Sequence, residues 1–275
     1  MFNRCPQPCW PTSHGGWWIV DVNRSLEGRV AIVTGAGQGV GEGIARKLAT
    51  LGAHVVIAAR RAETGDPVAD AIRSDGGSAE CIVTDVTTRE SIAACIDATV
   101  STHGRLDVMV HNAFAGGHAS RLEETPADAW FQMSRTSAWA SFWCAQLSYP
   151  HLKASDQGRL VLVTSPSGVE GSANIPLYSP AKGAQRAIAK SLAREWGPDG
   201  ICVNCIAPVA ETPALASAFS QVPTLRGAIE ARTPLGRIGD PTADIGGVVA
   251  FLAGPDSGYV SGQTIVCDGG SFLGL

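Results

Sequence analysis

The stretch RVAIVTGAGQGVGEGIARKLATLG, residues 29–52, passes from a β-branched apolar run through a cluster of glycines into an amphipathic pattern. RVAIVT (29–34) predicts a strand, TGAGQGVG (34–41) a tight loop and GEGIARKLATLG (41–52) a helix. Gly35, Gly39 and Gly41, with Gln38 and Val40 among them, let the backbone turn sharply and approach a ligand closely. The helix that follows offers unpaired N–H groups and the positive end of its dipole. A loop so placed holds a pyrophosphate, so the stretch points to a dinucleotide. The spacing is Gly-x-x-x-Gly-x-Gly, where Gly-x-Gly-x-x-Gly is commoner.

Six further runs have strand character: AHVVIAA (53–59), AECIV (79–83), LDVMVHN (106–112), RLVLVT (159–164), ICVNCIA (201–207) and TIVC (264–267). Several are continuously apolar, as strands covered on both faces are. Helical patterns fall between them, among them RESIAACIDATVSTHG (89–104), ADAWFQMSRTSAWASFWCAQLSYPHL (127–152) and TADIGGVVAFLAG (242–254). This alternation predicts an α/β chain: a Rossmann-type, doubly wound parallel sheet of about seven strands, helices on both faces, in a single domain. Ligands of such sheets bind at the carboxyl ends of the strands.

Composition agrees with a globular body. Of 275 residues, 45% are apolar and 17% charged, enough for a large core. The net charge of −4, with Lys and Arg scattered, argues against a nucleic-acid partner. No apolar run is long enough to predict a membrane span. Residues 1–24 differ in their Pro, Trp and Gly content and show no periodicity, so a flexible or partner-dependent extension is expected, with Trp17 and Trp18 free to pack on the body or on another subunit. Its apolar run WWIV is too short for a signal peptide. Eight cysteines in a chain this large do not require a disulfide framework, and a cytoplasmic location is expected. Cys5 and Cys9, like Cys202 and Cys205, lack a second pair or a histidine at zinc spacing, so no metal is expected from them. Cys202 and Cys205 read as core of a buried strand.

The second strand runs on as VVIAARRAE (55–63). Ala59 stands where an acidic residue would bond a ribose 2′-hydroxyl, and Arg60 and Arg61 follow. Arginine suits a 2′-phosphate, which favours NADP (NADPH) and leaves NAD possible. In YSPAKGAQRAIAKSLAREW (178–196), Tyr178 and Lys182 lie four residues apart, so on a helix they share a face. Bringing a phenol from ~10 to roughly 7 takes about 4 kcal/mol. A unit charge ~4 Å away at an effective dielectric of ~20 is worth about that much. The pair therefore predicts a tyrosine made into a usable acid and base by its lysine.

With these motifs in hand, residues 25–275 resemble the short-chain dehydrogenase/reductase family along their whole length. The matching motifs are TGAGQGVG, TDVT (84–87), HNA (111–113), TSPSG (164–168), YSPAK (178–182), VNCIAP (203–208) and VCDGG (266–270), in the family's order. The resemblance implies that Asp85 and Val86 border the adenine, that Asn112 and Ala113 line the cofactor cleft and that Lys182 bonds the nicotinamide ribose. It also implies that Pro208 borders the cofactor, that Thr212 contacts the nicotinamide amide and that Ser165, thirteen positions before Tyr178, binds the substrate oxygen. Hydride transfer between nicotinamide and a ketone or secondary alcohol follows, with Tyr178 as general acid/base. Ser137 stands where many members carry an asparagine that holds a water in the lysine's proton relay, so a rearranged relay is expected. His111, Phe114 and Val209 are further departures, and Phe114 is expected to narrow or cover the cleft.

The segment 210–241 is expected to cap the substrate. Leu215, Phe219 and Leu225 suggest an apolar ketone or alcohol, while Arg226 and Arg232 leave a 3-oxoacyl-type reductase acting on an acidic carrier as an alternative. A non-catalytic nucleotide-binding protein is the other alternative, prompted by Ser137 and Phe114. The Trp- and Phe-rich helix at 126–151 predicts a homo-oligomer, dimer or homotetramer, that packs on it and on the helix from Tyr178.

Overall fold

The computed structural model describes residues 24–115, 121–173 and 175–272. The extension, with Trp17, Trp18, Cys5 and Cys9, lies outside the described residues except for Arg24. The strand-like runs become β1 (Val30–Thr34), β2 (His54–Ala59), β3 (Ser78–Val83), β4 (Val108–His111), β5 (Arg159–Val163), β6 (Cys202–Pro208) and β7 (Thr264–Cys267), the inner ones buried on both faces and the edge strands β3 and β7 partly exposed. They pair in parallel in the order β3-β2-β1-β4-β5-β6-β7. Each lies within two residues of its expected bounds. The order reverses between β1 and β4, which opens a crevice at their carboxyl ends.

Alternate strand residues feed two cores. Val55 and Ile57 join Ile44 and Leu48 of α1 (Gly39–Thr50), Ile72 of α2 (Ala62–Ser74) and Leu252 of α10 (Gly247–Ala253) on one face. On the other, Val56 and Ile32 join Ile92 and Ile96 of α3 (Arg89–His103), Leu152 of α5 (Ala140–Ala154) and Trp196 of α7 (Tyr178–Trp196). Burying a side chain of this size is worth about 1.5–3 kcal/mol, so these two layers dominate the stability.

The long helix expected at 126–151 is interrupted. α4 (Ala127–Ser134) gives way to a π-helical turn at Arg135–Trp139 before α5 begins. There Ser137 Oγ donates to Met133 O (2.6 Å), competing for a carbonyl of the helix itself, while the Thr136 hydroxyl donates to Ala115 O (3.0 Å) in the loop after β4. A second π turn, Pro241–Gly246, replaces the start of the helix expected at 242–254; Asp240 Oδ1 caps it by accepting from the N–H groups of Thr242 and Ala243. The capping segment folds into α8 (Pro213–Gln221) and α9 (Leu225–Arg232), neither of which buries a residue completely. The short α6 (Ser167–Glu170) follows β5. No helix among the described residues is long and apolar enough to cross a membrane.

α1 meets the second π turn at Gly43, where a Cβ would stand 2.3 Å from the Pro241 carbonyl carbon. Gly43→Ala is expected to lower the unfolding free energy in urea by about 1–3 kcal/mol. Gly247→Ala, with open space around its Cβ and no positive φ, is expected to leave it unchanged or to raise it by up to about 1 kcal/mol.

Candidate active site

A cleft of about 890 Å³ opens at the carboxyl ends of the strands, bounded by the glycine loop, the ends of β2 and β4–β6, and α8. Gly35 and Gly39 hold φ of 66° and 59°, where a side chain would be strained. A Cβ on Gly35 would lie 2.7 Å from Ala113 Cα, and one on Gly41 would lie 2.4 Å from Asn112 Nδ2. The loop is therefore a cradle that admits only glycine at these points. Gln38 enters α1 in extended conformation without a side-chain cap, leaving that helix N-terminus to an anion. Val40 lines the same wall of the cleft.

Thr34 fastens this loop to β4. Its hydroxyl accepts from the N–H groups of Asn112 (3.0 Å) and Ala113 (3.1 Å) and lies 3.0 Å from His111 Nδ1. The Asn112 amide donates back to Thr34 O (2.9 Å) and Gly35 O (3.2 Å). Sequence reasoning did not single out Thr34, although a threonine closing a strand before a glycine turn is a signal for such a contact.

At the far wall, Arg60 and Arg61 follow β2, exposed and lining the cleft. Neither guanidinium has a hydrogen-bond or ion-pair partner among the described residues. Asp85 Oδ1 accepts from the Thr87 N–H (2.9 Å) and hydroxyl (2.8 Å), and Val86 beside it is buried. Pro208 ends β6 at the cleft, and Thr212 caps α8 by accepting from Leu215 N–H (3.1 Å).

Tyr178 opens α7 and shares a hydrogen bond with Ser165, at the end of β5. Lys182, one turn on and 3% exposed, donates Nζ to Val163 O (2.8 Å) and sits 4.6 Å from the centre of the Phe114 ring. That ring meets Tyr178 edge-on at 5.1 Å. Burial pulls the Lys182 ammonium down to about 7. Burial also pushes the Tyr178 phenol up, with the Ser165 bond opposing. This corrects the expectation that the lysine lowers the phenol: the ammonium is turned onto the Val163 carbonyl and the Phe114 face, and desolvation prevails.

Ser165, Tyr178 and Lys182 come together as expected, and the structure leaves Ser137 apart from them. Its hydroxyl is committed to Met133 O and it does not line the cleft. His111 is wholly buried between Thr34, the backbone of Thr136 and Ser137, and Lys182. Burial first, and Lys182 second, hold its imidazole down at about 3, so it is neutral at working pH.

An adjoining pocket of about 560 Å³ lies beside Tyr178, walled by Pro126, Ala129 and Met133 of the α4 region and by Ile175 and Leu177. Sequence reasoning placed the substrate wall in 210–241 alone. There Leu215 lines the cleft, but Phe219 lies beneath the Arg226 guanidinium (4.6 Å) and Leu225 does not line it. Arg226 is itself paired with Glu211 and, at 3.4 Å, Glu230.

Residues 35–271 match the family model described as enoyl-(acyl carrier protein) reductase. A tropinone reductase homolog of Arabidopsis thaliana is 36% identical over 248 residues, covering 90% of this chain and 91% of its own. Cis-4-hydroxycyclohexanecarboxylate dehydrogenase of Sinomonas cyclohexanicum is 37% identical over 243 residues, covering 88% and 96%. A crystal structure from Sinorhizobium meliloti 1021, described as a candidate short-chain alcohol dehydrogenase, superposes with a TM-score of 0.85 at 30% identity, over 91% of this chain and 98% of that one.

The buried imidazole sets a pH dependence. His111 titrates at about 3 in the folded chain and at about 6.5 when unfolded, so on acidification the unfolded chain takes up the proton first. Its contribution to stability is complete above about 6.5 and is lost progressively toward about 3, with a slope of up to about 1.4 kcal/mol per pH unit. In urea unfolding at successive pH values, His111→Asn is expected to show a shallower acid slope than the parent.

Proposed function

The chain belongs to the short-chain dehydrogenase/reductase family and is an oxidoreductase of CH–OH and C=O groups, and from that premise we propose an NADPH-dependent ketone reductase or secondary-alcohol dehydrogenase with Tyr178 as its acid and base. The family uses NAD(P). The glycine cradle and the uncapped N-terminus of α1 suit its pyrophosphate. Asp85, Val86, Asn112, Ala113, Pro208 and Thr212 line the path it would follow, and Lys182 stands where it would reach the nicotinamide ribose. When bound, the reduced cofactor supplies the hydride.

The observation that carries the reading is the convergence of Ser165, Tyr178 and Lys182 at the junction of cleft and apolar pocket. The Tyr178 hydroxyl delivers a proton to the carbonyl oxygen as charge develops there, and Ser165 donates a hydrogen bond to the same oxygen. In the opposite direction Tyr178 removes the alcohol proton. Lys182, titrating close to neutrality, orients the cofactor ribose and supplies positive charge near the phenol once drawn off Val163 O. Ser137 faces its own helix, so the relay behind Lys182 does not run through its hydroxyl.

The unpaired Arg60 and Arg61, with no acid at Ala59, favour a 2′-phosphate and hence NADPH. The mostly apolar pocket beside Tyr178, with Arg60 and Arg135 at its wall, favours a ring-sized substrate, consistent with relatives named for tropinone and for a hydroxycyclohexanecarboxylate. Arg226 is paired with two glutamates, which leaves Arg232 as the support for the alternative of an acyl-carrier substrate. Phe131, Trp139 and Phe142 are 63%, 53% and 44% exposed along α4–α5, which favours a homo-oligomer through that face. Six described cysteines, all free, suit the cytoplasm.

Oxidation of NADPH by cyclic ketones, followed by absorbance, tests the reading. Tyr178→Phe is expected to cut kcat by about 10²–10⁴-fold with NADPH binding retained. Arg60→Ala is expected to raise KM for NADPH by about tenfold and leave that for NADH unchanged. Preference of the parent enzyme for NADH would overturn the cofactor assignment alone; unchanged turnover in Tyr178→Phe would overturn the mechanism.

A further inference from the structure

Away from the cleft, at the amino end of the sheet, parallel register sets His54 of β2 beside Ser78 of β3. Glu80, two residues along β3, faces the same side. α3 packs on that side and ends at His103. Glu80 Oε1 lies 2.8 Å from His103 Nε2 and 3.5 Å from His54 Nε2, and the two imidazole rings stack at 3.9 Å. One ligand atom from each residue lies within 4.8 Å of the other two. The side chains are 19%, 38% and 21% exposed for His54, Glu80 and His103, so the cluster is formed yet open to an ion from solvent.

The arrangement around His54 carries the argument. Its Nδ1 is 2.7 Å from Ser78 Oγ. Its Nε2 is buried and makes no hydrogen bond of ordinary geometry among the described residues; in the tautomer whose Nδ1–H donates to Ser78, Nε2 offers a lone pair to a ligand. The nearest acceptor is the Glu80 carboxylate. In that tautomer a cation between the Nε2 lone pair and the Glu80 carboxylate satisfies both.

We propose that His54, Glu80 and His103 form a binding site for a divalent transition cation, Zn²⁺ by preference, that joins β2, β3 and α3. Two imidazoles and a carboxylate suit Zn²⁺ better than Mg²⁺ or Ca²⁺, which take oxygen ligands. A tetrahedral ion with bonds of about 2.1 Å needs its ligand atoms roughly 3.4 Å apart; the Glu80 oxygen lies 2.8 and 3.5 Å from the two imidazole nitrogens, and all three ligand atoms lie within 4.8 Å of one another. A water completes the set, and Ser78 fixes the His54 tautomer as outer-shell partners of ligating histidines do. The cleft begins at Ala58, toward the other end of β2, four residues and roughly 13 Å along the strand from His54, so the site is separate from the hydride-transfer chemistry.

The test is titration of the chelator-stripped full-length chain with Zn²⁺, by calorimetry and by melting temperature, with Co²⁺ as a spectroscopic probe. The parent is expected to bind one Zn²⁺ at this site and to melt higher with it. His103→Gln and Glu80→Gln are each expected to weaken Zn²⁺ binding by at least about tenfold and to abolish the melting shift, with the metal-free circular dichroism spectrum retained. Should either fail to fold, Ser78→Ala, which keeps all three ligands, is expected to weaken binding by about tenfold or more. Co²⁺ is expected to give visible d–d bands without a thiolate charge-transfer band. A thiolate band from the bound ion, Zn²⁺ affinity unchanged in the variants, or no saturable binding would each overturn the proposal.

Discussion

The Thr34 hydroxyl is the point on which the cleft depends. β1 is flanked by β2 on one side and β4 on the other, so the chain leaving β1 and the chain leaving β4 diverge at the reversal of strand order. Thr34 keeps them from parting: one oxygen receives the N–H groups of Asn112 and Ala113 and contacts His111. A hydroxyl has one proton and two lone pairs, and all three are engaged. Each such bond contributes only about 1 kcal/mol net, but an orphaned buried N–H costs about 1–3 kcal/mol. Once the two loops are held this close, glycine at 35 and 41 becomes a steric requirement, since Ala113 and Asn112 occupy the space of a side chain.

The second constraint is a buried ammonium. Lys182 is nearly inaccessible to solvent, and its charged form is held by one carbonyl and one aromatic face. Phe114 therefore supplies a cation–π contact to the lysine and an edge contact to Tyr178, where the family usually has glycine. His111 and Ser137 read together in the same way. A ring larger than the usual asparagine stands at 111, a side chain smaller than the usual asparagine stands at 137, and His111 faces the backbone at that turn.

The inner strands were legible because continuous apolar runs leave little choice for a strand buried on both faces, and the half-buried edge strand β7 also matches TIVC residue for residue. The glycine loop, Arg60, Tyr178 and Lys182 were legible because their chemistry is tied to local spacing. What escaped was set by competition or by distance along the chain. The π turns at Arg135–Trp139 and Pro241–Gly246 depend on side-chain bonding that helical periodicity does not encode. The phenol's upward shift depends on where Nζ points, which spacing alone left open. His54, Glu80 and His103 share no motif; only the register of β2 against β3 and the length of α3 unite them.

The two ends of the sheet are built differently, and the difference suits the chemistry. At the amino end the fully buried Asp107 carboxylate takes the Val30 N–H, two bonds from Arg105 and one from the Ser155 hydroxyl. Burial alone would push this group up, but those donors outweigh it and hold the carboxyl below its ordinary value. Removing one partner of such a buried charge costs about 3–5 kcal/mol, so this end opens reluctantly. The carboxyl end has unpaired arginines, a helix without a side-chain cap and an ammonium near its titration point. Each of these is a local cost in a protein without a ligand and, on the proposed reading, is where an anionic cofactor would make contact. A sheet clasped at one end can keep the other unsatisfied, because the strands transmit the rigidity that the cleft itself does not supply.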